Sequence, residues 1–164
     1  MRWRMMAGVS LLAVMVAVPA IGGNAVQAQG ELTDLRPATD PTDGARGLAT
    51  GVRRPGQTVV VLNIKGLDQA AAGTTFGAHV HIGPCTINDG GAALGHYNHG
   101  GGISSETEVW LDFTVTAGGT GHSTAIVPFD IPDQAAASIV VHELPTNPTT
   151  GLAGARIACL GIDF

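Results

Sequence analysis

The chain has 164 residues, 24 of them glycine and only 13% charged, with a formal net charge of −5 at pH 7. That length suits one domain with a modest core. The acidic balance leaves no basic surface for nucleic acid or anionic lipid, which excludes both as expected partners.

In chain order, the first 28 residues read MRWRMMAGVSLLAVMVAVPAIGGNAVQA: a basic start at Arg2 and Arg4, an apolar run from Ala7 to Ile21, then small residues. This is the pattern of a secretory signal. Val26 and Ala28 suit the small positions three and one before cleavage, so the mature chain is expected to begin at Gln29. The apolar run is short for a membrane span and no second one follows, so no span is expected after cleavage. Export to the cell envelope, the periplasm or the medium is the expected destination. Loss of Arg2 and Arg4 takes the formal charge from −5 to −7, and all four methionines leave with the same segment. A mature copper site could then draw on histidine but not on thioether sulfur. Two cysteines, Cys85 and Cys159, suggest one disulfide in an exported chain; the alternative is a pair of buried free thiols. In the chain-entropy account such a bridge contributes about 4 kcal/mol.

Residues 29–43 are polar and proline-bearing, and are expected to form a flexible leader that partly orders on the domain. From 44 to 164 the pattern is β throughout. GARGLATGVRR and TVVVLNIKGL are short runs separated by the turn signal RPGQ. TTFGAHVHIG reads as the next strand, followed by the glycine-rich loop INDGGAALGHYNHGGGI. EVWLDFTVTA alternates cleanly, with Val109, Leu111, Phe113 and Val115 on one face. HSTAIVPFDI, SIVVHEL and GARIACLGIDF complete the set. No window outside the signal holds a helical period, and no repeat or second domain is evident. Several short strands at regular spacing imply an all-β sandwich or barrel.

Six histidines carry the chemical signal. In a strand, residues i and i+2 point the same way, so His79 and His81 project from one face and can share one ion. His142 ends an apolar strand, and His96 lies on the glycine-rich loop soon after the first pair. His99 competes with His96 as a ligand, and His122, beside a hairpin turn, reads as exposed. Imidazole nitrogen suits copper or zinc.

HVHIGPC, GHYN, VVHE and GARIAC occur in the order, and with the cysteine placement, of copper/zinc superoxide dismutases. The chain resembles that family from about Gly44 to Phe164. The resemblance implies a Greek-key β-barrel or sandwich, the immunoglobulin-like superoxide dismutase fold. It implies copper held by His79, His81, His96 and His142, with His96 at the position that bridges copper and zinc in the two-metal enzymes. It also implies a Cys85–Cys159 disulfide, and Arg156 beside the copper to attract and orient superoxide. The reaction it implies converts superoxide to dioxygen and hydrogen peroxide, with copper accepting and returning one electron and His96 letting go to carry a proton.

The departures from the family pattern matter as much. The loop after His96, NHGGGISSET, lacks the further histidines of a zinc site, so a closed four-ligand zinc site is not expected. The segment ELPTNPTTGLAGA before Arg156 is also shorter than the family's loop over the active site. Both losses resemble the copper-only branch, in which a carboxylate holds the free nitrogen of the former bridging histidine. Glu108 is preferred for that role over Asp112. Two rival readings stand beside the dismutase. One is a non-catalytic copper-binding domain on the same fold. The other is a zinc hydrolase or hydratase using three histidines, with Glu143 or Glu108 as base. The sequence does not speak to oligomeric state.

Overall fold

The computed structural model describes residues 25–164. The signal expected over residues 1–28 lies outside the described residues except for its last four positions. Among the described residues there are ten strands and one short 3-10 turn, with every strand pairing antiparallel.

The longest hairpin forms where the sequence alternates most clearly. β3 (Arg46–Arg54) turns inward with Gly47, Ala49 and Gly51, and β4 (Gln57–Lys65) with Thr58, Val60, Leu62 and Ile64. Pro55 and Gly56 close the two-residue turn between the paired Arg54 and Gln57, with Gly56 at φ +71°. β1 (Ala25–Glu31) flanks β3, and β8 (Thr120–Val127) flanks β4, so the first sheet runs β1–β3–β4–β8. The second sheet runs β2 (Thr33–Asp34), β10 (Arg156–Gly161), β9 (Ser138–His142) and β6 (Ala78–His81). A small pair, β5 (Thr75–Phe76) with β7 (Phe113–Thr114), closes the edge beyond β6.

The two large sheets share one core. Val60, Leu62 and Ile64 of the first face Val80, Ile139, Val141 and Leu160 of the second. Their other faces differ. The first sheet turns Leu48, Val59, Asn63 and Ile126 to solvent or half-burial. Every residue of β6 and β9 is buried, because loops 82–112 and 143–155 lie over the far face of the second sheet. Under that cover sits a smaller cluster of Leu35, Ala93, Val140 and Cys159, with Cys85 packed against it. The Cys85–Cys159 disulfide, with Cα atoms 5.6 Å apart, pins the cover to β10.

Three expectations change. The first part of the 29–43 segment, expected only to order in part, is built into the sheets, and 35–43 follows in bends and turns. Gln29–Glu31 finish β1, Thr33–Asp34 form β2 on the edge of β10, and Leu32, Leu35 and Thr42 are buried. Leu32 in the main core and Leu35 in the smaller cluster under the cover, plus free hydrogen-bonding edges on β3 and β10, hold what composition alone assigned to a loose leader. TTFGAHVHIG is not one strand, because at Gly77 the chain leaves β7 to pair with β9. EVWLDFTVTA is strand only at Phe113–Thr114; before that it follows β6 through an isolated bridge between His79 and Trp110. Its alternation holds all the same, with Val109, Leu111, Phe113 and Val115 all buried. Its other face carries Glu108, Trp110 and Asp112, while backbone bonds from Val80 to Val109 and from Leu111 to Ala78 hold the segment beside β6.

Candidate metal centre

The loop-covered face of the second sheet carries the histidines. His79 pairs with Val140 and His81 with Ser138, so both imidazoles rise from that face beside His142. The chain then doubles back, and a bridge between His81 and His96 lays the fourth ring against the first two. Gly83 allows this return: a Cβ there would lie 2.2 Å from the carbonyl oxygen of Ala92. One nitrogen from each of His79, His81, His96 and His142 falls within 4.8 Å of the others. Three of the rings are buried, while His96 keeps 19% of its side chain exposed and lies at the mouth.

Hydrogen bonds decide which nitrogens face inward. His81 Nδ1 donates to the carbonyl of Leu94 at 3.2 Å, and His142 Nδ1 to that of Gly154 at 3.3 Å. His96 Nδ1 donates to Glu108 Oε2 at 2.7 Å. A neutral imidazole has one N–H, so the Nε2 of each of these three rings carries only a lone pair. His79 is turned the other way. Its Nε2 lies 2.7 Å from Thr146 Oγ1, and its Nδ1 is buried without any partner. The bare Nε2 atoms of His142 and His81 face each other at 3.4 Å, an arrangement that repels unless a cation lies between them.

Protons are poorly suited to be that cation. Burial, reinforced by the neighbouring imidazoles, lowers His79 to about 2 and His81 to about 3. Burial likewise lowers His142 to about 4, against the opposing pull of its bond to Gly154. Three buried neutral imidazoles, one with an orphan nitrogen, and a fourth ring at the mouth fit a metal ion instead.

The two carboxylates considered beside His96 part company. Glu108 is 4% exposed and accepts from His96, from Trp110 Nε1 at 2.8 Å and from Asn98 Nδ2 at 3.2 Å. Burial alone would raise its pKa, but these bonds outweigh it and hold the carboxyl below its usual range. Asp112 does not approach His96. It accepts from the backbone and the hydroxyl of Thr146, at 2.8 and 2.6 Å.

Arg156 reaches this face through a β-bulge. The register between β10 and β9 shifts between Arg156 and Ala158, which places Arg156 opposite His142. Its Nη1 donates to the carbonyl of Gly90 at 2.5 Å. Its charge opposes protonation of His79, His81 and His142, and partial burial lowers its own pKa. Arg36, from the segment read as a leader, lies 3.5 Å from Glu143 and 3.3 Å from Asp40, so its charge is already matched.

The remaining histidines stand apart from the four. His99 is exposed and stacks on Phe129, with ring centroids 4.5 Å apart and planes 4° from parallel. His122 is exposed and bonds Asn63 across the first sheet at 2.8 Å. Thr146 and Trp110 are the members that the sequence did not single out. The alternation around 110 placed Trp110 on the polar face, but nothing in a lone loop threonine announces Thr146. Comparison with protein-family models and with curated proteins returns no match.

Proposed function

We propose that the chain is an exported copper-dependent superoxide dismutase of the copper-only kind, on the Greek-key fold its motifs resemble. One observation carries the reading: three buried imidazoles and the partly exposed ring of His96 bring four nitrogens within 4.8 Å of one another, and a fully bonded carboxylate, not a second metal site, occupies the far side of His96. Nitrogen donors without thiolate suit copper, and a bound copper supplies one-electron exchange with superoxide.

The chain's own residues do the rest. His79, His81 and His142 are clamped by their outer hydrogen bonds and would hold the ion in a fixed frame. His96, the one partly exposed ring, is kept by Glu108 with its proton on Nδ1, so its Nε2 is free to bind or to take up a proton. The carboxylates outnumber the cations, and Arg156 is the sole basic side chain after Lys65. With one N–H tied to Gly90, its other donors remain to attract and orient a small anion. The hydrolase reading has less support. Glu108 already accepts three hydrogen bonds, and Glu143 is exposed against Arg36.

Metal analysis coupled to a superoxide assay tests the proposal. About one copper and little zinc per chain is expected, with turnover. Arg156→Ile should keep its copper, lose at least tenfold in rate, and flatten the decline of rate with salt, because screening acts over about 8 Å. Copper without turnover in the parent would leave a copper-binding domain; tightly held zinc would overturn the copper-only reading.

A further inference from the structure

Among the four histidines, only His79 faces inward with Nδ1, and a specific pair of residues accounts for it. A carboxylate can only accept, so the 2.6 Å contact between Asp112 Oδ1 and Thr146 Oγ1 takes up the threonine's hydroxyl proton. The oxygen of Thr146 is then left to accept, and the 2.7 Å contact places the His79 proton on Nε2. Asp112 Oδ2 also receives the amide of Thr146 at 2.8 Å, and Oδ1 the amide of Ala78 at 3.3 Å. One carboxylate therefore staples loop 143–155 to β6 and sets the polarity of the chain of bonds that ends at His79. Gly77 leaves room for it: a Cβ there would lie 2.9 Å from Thr146 Oγ1 and 2.8 Å from the carbonyl of Leu144.

We infer that Thr146 and Asp112 are positioning residues that fix His79 as its Nε2–H tautomer and so present a bare Nδ1 to the metal. The inference rests on the metal-binding reading above for its purpose, but not for its geometry. The bond pattern assigns loop 143–155 a share in metal binding, although it contributes no ligand.

Long-range 15N–1H correlation spectra of the metal-free protein at neutral pH read the tautomer directly. The parent should carry the His79 proton on Nε2. Thr146→Val removes the acceptor while keeping the shape, and should give a mixture or the Nδ1–H form. Its Cu(II) affinity, read by quenching of Trp110, should fall about ten- to a hundredfold. Thr146→Ser keeps the hydroxyl and should restore both. Asp112→Asn offers an amide donor in place of a carboxylate oxygen and should perturb the tautomer as Thr146→Val does. Circular dichroism confirms that each variant is folded. A parent with its proton on Nδ1, or a folded Thr146→Val with unchanged tautomer and affinity, overturns the inference. A parent that shows the Nε2–H form but binds no copper overturns the metal reading and leaves the assignment of Thr146 and Asp112 standing.

Discussion

Glu108 shows how much a single side chain can be asked to do. Its two oxygens accept from an imidazole, an indole and an amide, so deleting it leaves three donors without their shared acceptor. Glu108→Ala should cost about 2–3 kcal/mol of stability, since bonds to a charged group are the stronger kind and buried donors left unpaired are costly. On the proposed copper-binding reading it should also weaken copper affinity tenfold or more by freeing the tautomer of His96. Urea unfolding and a copper titration followed by Trp110 fluorescence measure the two effects. The four inward histidines were legible in the sequence because strand spacing and motif order both mark them. Thr146 was not, because its role depends on a contact with a residue 67 positions away. Asp112 was noticed for the wrong neighbour: period-two spacing gives its face, but the bond it makes depends on a loop whose path no local pattern specifies.

At the scale of elements, β1 carries the sharpest consequence. It pairs with β3 from Ala25↔Val52 to Glu31↔Arg46, and Val26 and Ala28 pack against the core. Val26 and Phe164 together fill the space over Gly51. A mature chain beginning at Gln29 would lose four of the seven residues of this strand. A chain beginning at Ala25 should therefore be more stable than one beginning at Gln29 by about 1–2 kcal/mol, the burial of part of a valine and an alanine, or several degrees in Tm. Paired thermal melts measure this, and equal midpoints would mean that the first half of β1 contributes nothing. Strands β3, β4 and β8 were legible because their inward positions alternate with exposed ones, and β9 and β10 because they are short continuous apolar runs, as suits strands covered on both faces. β1 was missed because AVQAQGE is neither apolar nor β-branched enough to stand out, and the open edge of β3 supplies what the sequence lacks.

For the molecule as a whole, the buried histidines tie stability to pH. His79, His81 and His142 have folded pKa values of about 2, 3 and 4, below the ordinary value of 6.5. Above pH 6.5 they are neutral folded or unfolded, and they cost nothing. As pH falls through 6.5 toward 4, the unfolded chain takes up protons that the folded one refuses, so stability declines. Each histidine contributes at most about 1.4 kcal/mol per pH unit. Urea titrations of the metal-free protein between pH 7 and 4.5 should show this loss, and a flat profile would mean that the rings protonate in place. The all-β architecture was legible from turn chemistry and alternation. The double covering of the second sheet was not, since it depends on which loops fold back over it.

The order in which the chain reaches the cluster has a kinetic meaning. His79, His81 and His96 are near neighbours in sequence, but His142 arrives from 61 residues beyond His81 and Arg156 from 66 beyond Gly90. Closing such long loops is entropically slow, and contacts of this span form late. A three-histidine half-site can gather early around β6, whereas the fourth nitrogen joins only when β9 docks between β6 and β10. An ion captured before that step would meet an open, three-toothed clamp, and one arriving afterwards a closed one. The pairing of β6 with β9 is thus the contact that completes the pocket, and it closes the longest span of chain among the four histidines.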